Sequence, residues 1–250
     1  MKKSIFILCC LFTFLNTIKA QNNISQLYVE YEMYLNFKGA VEYQAQLVLN
    51  SNYSLFRYKP SDKVSNYKED IIDTESKIDI KIIDSSFFYV FIDKIKNVIA
   101  EDKKSIYSKK NYVVEEVIPV IDWVLKDDIK MINNLSCKKA VCFFKGRNYT
   151  VWYCPEIPIN SGPWKLNGLP GLIVEAIDDD HEVAFYLKKI VSPFNHEIEL
   201  DLTKIKKKYS MKEFLEIQNK EKEEFESKFA SKFDRGLHVK VDFKYDDIEK

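Results

Sequence analysis

Between residues 26 and 58 apolar and polar positions alternate along the chain. Leu27, Val29, Tyr31, Met33 and Leu35 share one side, with Glu30, Glu32 and Asn36 on the other. Val41, Tyr43, Ala45, Leu47 and Leu49 repeat the scheme. A period of two predicts half-buried strands, and residues 37–40, which include Gly39, predict the hairpin connection between them. A third strand follows Asn50-Ser51-Asn52 at residues 53–58. Consecutive strands with short links predict an antiparallel meander. Residues 59–76 are polar and charged and read as an exposed excursion. Short strands are then expected at 78–83, 87–92, 98–100 and 112–118, with Asp84-Ser85-Ser86 as a turn. Residues 121–131 fit a strand or a helix, and their strand neighbours favour a strand.

The next hairpin allows its register to be worked out. Residues 140–145 and 148–153 flank Gly146-Arg147, a two-residue loop with Gly first, as a type II′ turn prefers. With Lys145 opposite Asn148, Cys142 faces Val151 and Lys139 faces Cys154. Cys137 then lies on the same face as Cys154 and diagonal to it, while Cys142 points the other way. In an oxidising compartment this predicts a disulfide between Cys137 and Cys154 and a free, buried Cys142. The alternative is that all three serve as small apolar residues.

Residues 172–177 read as a mostly buried strand and 183–191 as the last strand before a helix, joined by Asp178-Asp179-Asp180-His181. From Ser210 the period changes. Ser210 and Glu213 form a capping box, and Phe214, Leu215, Gln218, Phe225 and Phe229 recur near helical spacing. A helix near 210–233 should end by Gly236 and pack its aromatic stripe on the sheet. Residues 237–245 alternate again, so a final strand should close or edge the sheet, and the acidic tail should be solvated. The fold expected is mainly β: an antiparallel, curved meander sheet or partly open barrel with one C-terminal helix packed on it, as a single domain over residues 21–250.

One stretch departs from this regular pattern. Of only six Gly and seven Pro in the chain, Gly162, Gly168, Gly171, Pro155, Pro158, Pro163 and Pro170 all fall between Cys154 and Ala176. Such a backbone suits a loop of fixed shape. Leu169-Pro170-Gly171-Leu172 has the Pro and Gly placement of a type II turn, and it feeds the apolar strand that begins Leu172-Ile173. Gly168 to Ile173 spells the hexapeptide for which the GLPGLI family of bacterial envelope proteins is named. The chain resembles that family also at Tyr53-Ser54-Leu55-Phe56, Cys137-Lys138-Lys139-Ala140, Gly146-Arg147-Asn148-Tyr149, Trp152-Tyr153, Ile157-Pro158 and Gly162-Pro163-Trp164-Lys165. The resemblance implies an exported protein of the cell envelope and names no activity.

Residues 1–20 carry Lys2 and Lys3, an apolar run from 5 to 15 and a terminal Ala20, the layout of a secretory signal peptide cut before Gln21. The run is short of the roughly 20 residues that cross a bilayer, and no second apolar run of that length follows, so no membrane span is expected after processing. Cys9 and Cys10 lie inside the run, which argues against a lipidation site. Cleavage removes three of the 38 basic residues and leaves 35 against 38 acidic ones. That balance argues against nucleic acid and against electrostatic membrane binding.

Chemistry finds little support. No phosphate-binding loop, nucleophile elbow or His-Glu-x-x-His spacing is present, so no cofactor and no metal is expected. The Asp178–His181 run reads as hairpin-turn chemistry, since consecutive residues cannot converge on one ion without distant partners. Cys142 with a His, or that acidic turn, remains the alternative of a hydrolase or thiol-based redox enzyme. A binding or scaffold role is favoured, for an apolar ligand, a peptide or an outer-membrane partner, in the periplasm or at the outer envelope. Trp164 on its restricted loop, with Trp152, Arg147 and Lys165, is the candidate contact surface. The reading favoured over it makes Trp164 a core plug at one end of the sheet, since buried Trp is common.

Overall fold

The structure is a computed structural model that describes residues 26–37, 39–61, 77–81, 86–105, 107–194, 202, 205–230, 240–244 and 248–249. The expected signal peptide and most of the 59–76 excursion lie outside these residues. Thirteen strands follow in order: β1 (Gln26–Leu35), β2 (Val41–Leu49), β3 (Tyr53–Pro60), β4 (Lys77–Lys81), β5 (Phe88–Asp93), β6 (Val98–Lys104), β7 (Asn111–Val117), β8 (Val124–Ile132), β9 (Leu135–Phe144), β10 (Arg147–Cys154), β11 (Leu172–Asp178), β12 (Val183–Phe194) and, after helix α1 (Met211–Ala230), β13 (Lys240–Lys244). In β1 and β2 every second residue is buried, as the alternation requires.

Eleven strands make one sheet in the order β7-β6-β5-β3-β2-β1-β12-β11-β10-β9-β8. Every neighbouring pair is antiparallel. Two meanders therefore run outward from the β1–β12 pair, and the chain passes from one edge to the other between β7 and β8. A flat sheet of eleven strands would hold its edges about 48 Å apart. The six residues between Val117 and Val124 reach at most about 25 Å. The sheet must curl, and the tip of the β9–β10 hairpin accordingly meets β7, with Lys145 Nζ 2.6 Å from Glu116 Oε2. The sheet stays open, because β7 and β8 do not pair.

Four local expectations are corrected. The β9–β10 loop is Lys145-Gly146 rather than Gly146-Arg147, because Arg147 pairs with Phe144. Both loop residues have positive φ, 49° and 81°, the requirement of a type I′ turn that matches strand twist. Residues 169–172 do not form a type II turn. Gly168, not Gly171, takes the positive φ of 95°, and Gly171 N–H donates to Leu169 O at 2.8 Å, a γ-turn about Pro170. The final strand pairs in parallel with β4, away from the main sheet. The β7 edge of the main sheet is bonded instead to Tyr209, since Glu115 N–H donates to Tyr209 O and Tyr209 N–H to Val113 O, each at 2.9 Å. The tail is not solvated throughout: Ile248 is buried in the core, and the half-buried Glu249 is ion-paired to Lys165.

Helix α1 starts at its expected capping box, where Ser210 N–H donates to Glu213 Oε2 at 2.7 Å and Glu213 N–H to Ser210 Oγ at 3.2 Å. Phe214 is buried beside Tyr112, ring centroids 5.7 Å apart, so the helix packs along β7. Its expected end near Gly236 lies outside the described residues.

Candidate functional site

The stretch between β10 and β11 does not arch over the sheet as a surface loop. Residues 161–166 are all buried, and Trp164, Leu166 and Leu169 belong to the same core cluster as Val29, Leu47 and Val151. The loop folds into the concave side of the curled sheet. Its walls are laid down by backbone bonds: Leu172 N–H donates to Ile157 O at 3.0 Å and Ile173 N–H to Ser161 O at 2.9 Å. Tyr31 donates its hydroxyl to Ile173 O at 2.8 Å from across the interior.

Two glycines are explained by close approach. A Cβ on Gly171 would fall against the Cys154 carbonyl, its carbon 2.7 Å away, and one on Gly162 would meet Ile173 Cβ at 2.7 Å. Cys154 is fixed in turn by the disulfide to Cys137, which lies directly opposite rather than diagonal once the register moves by one loop residue. Leu172 and Ile173 are fully buried in β11, as the sequence pattern requires.

Of the four candidate contact residues, three are interior. Trp164 is 1% exposed, with φ of 55° and its ring 5.7 Å from Phe144. Lys165, also 1% exposed, places Nζ 2.7 Å from Glu101 Oε2, 2.7 Å from Glu116 Oε1 and against Glu249. Arg147 donates from Nη1 to Asp178 Oδ2 at 2.7 Å and Glu182 Oε2 at 2.6 Å, and from Nε to Ile248 O at 2.8 Å. Its guanidinium also lies 5.0 Å over the Phe37 ring. Trp152 is half-buried on the outer face beneath Lys130, which reaches on to Glu175 at 2.6 Å. Trp164 and Lys165 come together with Phe144, the buried Glu101 and the half-buried Glu116 and Glu249, while Trp152 lies on the opposite face of the sheet. Periodicity gave no signal for Glu101, Glu116 and Glu249, because each sits far from Lys165 in sequence.

These charges balance one another. Burial alone would raise the Glu116 carboxyl, but Lys165 and Lys145 outweigh it and hold it below the ordinary carboxylate range; Glu249 behaves in the same way. Burial opposes the charge on Lys165, and the three glutamates overcome that and push its ammonium upward.

The acidic turn and the thiol are also committed. Asp178 Oδ1 accepts the Glu182 and Val183 N–H groups at 2.8 Å each, so Asp178 caps the β11–β12 turn. Ligand atoms of Asp178, Asp180 and Glu182 lie within 4.8 Å of one another, but the Arg147 guanidinium already binds two of the three. His181 is exposed, and His196 and His238 lie outside the described residues. Cys142 is buried opposite Tyr149, and burial pushes its thiol up to about 12. At neutral pH it is a thiol, and the nucleophile of thiol chemistry is the thiolate.

Where the loop begins and ends it forms an open cleft of about 650 Å³ with the β2–β3 and β5–β6 turns, lined by Ser51, Lys94, Pro158, Ile159, Asn160 and Pro170. Asp93 fixes the β5–β6 turn by accepting Lys96 N–H at 2.9 Å. Lys94 thus points its ammonium at Asn160 Oδ1, 2.9 Å away, and burial lowers its pKa. The site combines apolar walls of Pro and Ile with one cation and one amide. No motif announced Lys94; the only sequence signal was the concentration of Pro in the facing loop.

A family described as a protein of unknown function (Porph_ging) matches residues 143–175, the stretch from the β9–β10 turn into β11. No curated protein matches. Among solved structures, PNGF-II resembles this chain in two crystal forms. The C2 form has TM-score 0.53 and 11% identity over 78% of this chain, and the P21 form 0.53 and 13% over 79%. This chain spans about a third of the length of PNGF-II, 33% and 34% in the two forms. At such identities the likeness concerns the fold alone. A putative outer membrane lipoprotein-sorting protein domain from Vibrio parahaemolyticus matches 71% of this chain and 89% of its own at TM-score 0.33 and 8% identity, too loose a likeness to build on.

Proposed function

We propose that this is an exported, non-catalytic binding protein of the cell envelope that takes an apolar ligand or peptide segment bearing an anionic group in the cleft at the mouth of the signature loop. The observation that carries this reading is the pairing of apolar walls, Pro158, Ile159 and Pro170, with the half-buried Lys94 ammonium. Convergent polar groups in an apolar cleft are the usual make-up of a ligand site. The concave side of the sheet, where a carrier would hold its cargo, is taken by Trp164, Leu166 and Leu169. Trp164 and Lys165 therefore act from behind, by holding the loop. Export is supported by the layout of residues 1–20 and by the Cys137–Cys154 disulfide. Assignment to the GLPGLI family rests on the hexapeptide at 168–173, which lies within the stretch matched to the Porph_ging family.

Catalysis by Cys142 or by the acidic turn has no observation in its favour. The thiol is buried and protonated, and Arg147 occupies the carboxylates. The test is titration with 1-anilinonaphthalene-8-sulfonate, an apolar ring system with one anionic group. Saturable binding should weaken at least tenfold in Lys94→Ala. Equal affinity in the two proteins, or no saturable binding by either, would overturn the reading.

A further inference from the structure

The two edges of the sheet are treated differently. Along β7 the backbone groups of Val113 and Glu115 are bonded to Tyr209, and α1 packs beside it. Among the described residues, β8 pairs with β9 on one side only. All eight residues from Val124 to Met131 are exposed, with Val124 at 53%, Leu125 at 56%, Ile129 at 66% and Met131 at 64%. A long edge strand with apolar side chains and free N–H and C=O groups is a template for another strand. Its partial safeguard is a bulge: Leu125 pairs with Ala140 but Ile129 with Lys138, so Lys126-Asp127-Asp128 face Lys139 alone.

We propose that β8 is the edge through which two copies of this chain join antiparallel, with Ile129 opposite Ile129 of the second copy. A two-fold pairing is isologous, so each register opposes one residue to itself. Centring on Asp128 sets that carboxylate against its own copy and Lys126 against Lys130. Centring on Asp127 sets Asp127 against itself. Centring on Val124, Leu125 or Met131 pairs no Asp with Lys within the exposed run, and of the registers centred on residues 126–130 only the one on Ile129 opposes no like charges. It places Asp128 of each chain opposite Lys130 of the other and Ile129 against its twin on the concave side. Opposite charges directly across a strand pair favour it, and like charges disfavour it. Lys130, now 2.6 Å from Glu175, would be shared between Glu175 and the incoming Asp128. The union extends the sheet without disturbing the signature loop or its cleft, so it is independent of the ligand reading.

Sedimentation velocity on the chain from Gln21 should show a concentration-dependent monomer–dimer equilibrium. Asp128→Lys should weaken the dimer at least tenfold by facing Lys130, and adding Lys130→Asp should restore it by reversing both pairs. Ile129→Cys should cross-link to a disulfide dimer in air, since residues opposed at the axis come within disulfide reach, whereas Leu125→Cys should not. Unchanged thermal melting separates a lost contact from a lost fold. A wild-type protein that stays monomeric at every concentration would overturn the proposal. So would a dimer indifferent to the charge swap, or one that cross-links through Leu125→Cys in place of Ile129→Cys.

Discussion

Lys165 shows what the interior of this protein demands of a single side chain. Its ammonium is withdrawn from water and sits among Glu101, Glu116 and Glu249. Removing one partner from such a group leaves buried charge uncompensated, at a cost of about 3–5 kcal/mol. Lys165→Met, which keeps length and apolar bulk, should lower unfolding free energy in urea by that order at neutral pH. The pH dependence has a definite sign. Glu116 and Glu249 are held below the ordinary range, so their stabilisation is present at neutral pH. It is lost as pH falls below the unfolded value of about 4.3 toward their folded values. In Lys165→Met the orphaned carboxyls favour protonation instead, so the gap between variant and wild type should narrow on acidification. A gap that stays constant between neutral and acidic pH would contradict this account of the cluster.

At the scale of elements, the hairpin and the loop share one lesson about what a sequence discloses. The β9–β10 strands, the partnership of Cys137 with Cys154 and the opposite facing of Cys142 were all legible, because a two-residue slip in pairing preserves which face each side chain takes. The turn itself was misread, because Lys145 accepts a positive φ that its side chain does not advertise. Gly171 was likewise assigned a conformation when its need is space beside the Cys154 backbone, a contact between residues that pattern reading cannot join. Gly171→Ala should therefore cost about 1–3 kcal/mol, as overpacking does, measured by chemical denaturation; a neutral substitution would show that the loop has room. The 17-residue separation of the disulfide corresponds to about 3 kcal/mol of loop closure. For the chain from Gln21, mass spectrometry should find no alkylation in the native state. One adduct, at Cys142, should appear on denaturation, and two more only after reduction.

For the whole molecule, each of the thirteen described strands has a counterpart expected from alternation, apolar runs or turn signals, yet their order across the sheet was not legible. A period of two records that a face is buried and not which neighbour buries it. The separate β4–β13 pair and the curl imposed by the short β7–β8 link are properties of the closed circuit of the chain. The candidate site was half legible: the Gly and Pro cluster marked the loop, while Lys94 came from a distant turn. Trp164 takes the core position that was favoured over a contact surface, since the curled sheet needs an apolar filling and this loop supplies it. That filling is the central claim, and iodide quenching of tryptophan fluorescence tests it most directly by comparing wild type with Trp164→Phe. The emission lost in the variant should be the fraction that iodide does not reach in the native protein and does reach after unfolding. If the emission lost is instead the fraction quenched in the native state, Trp164 faces solvent and the loop does not form the core.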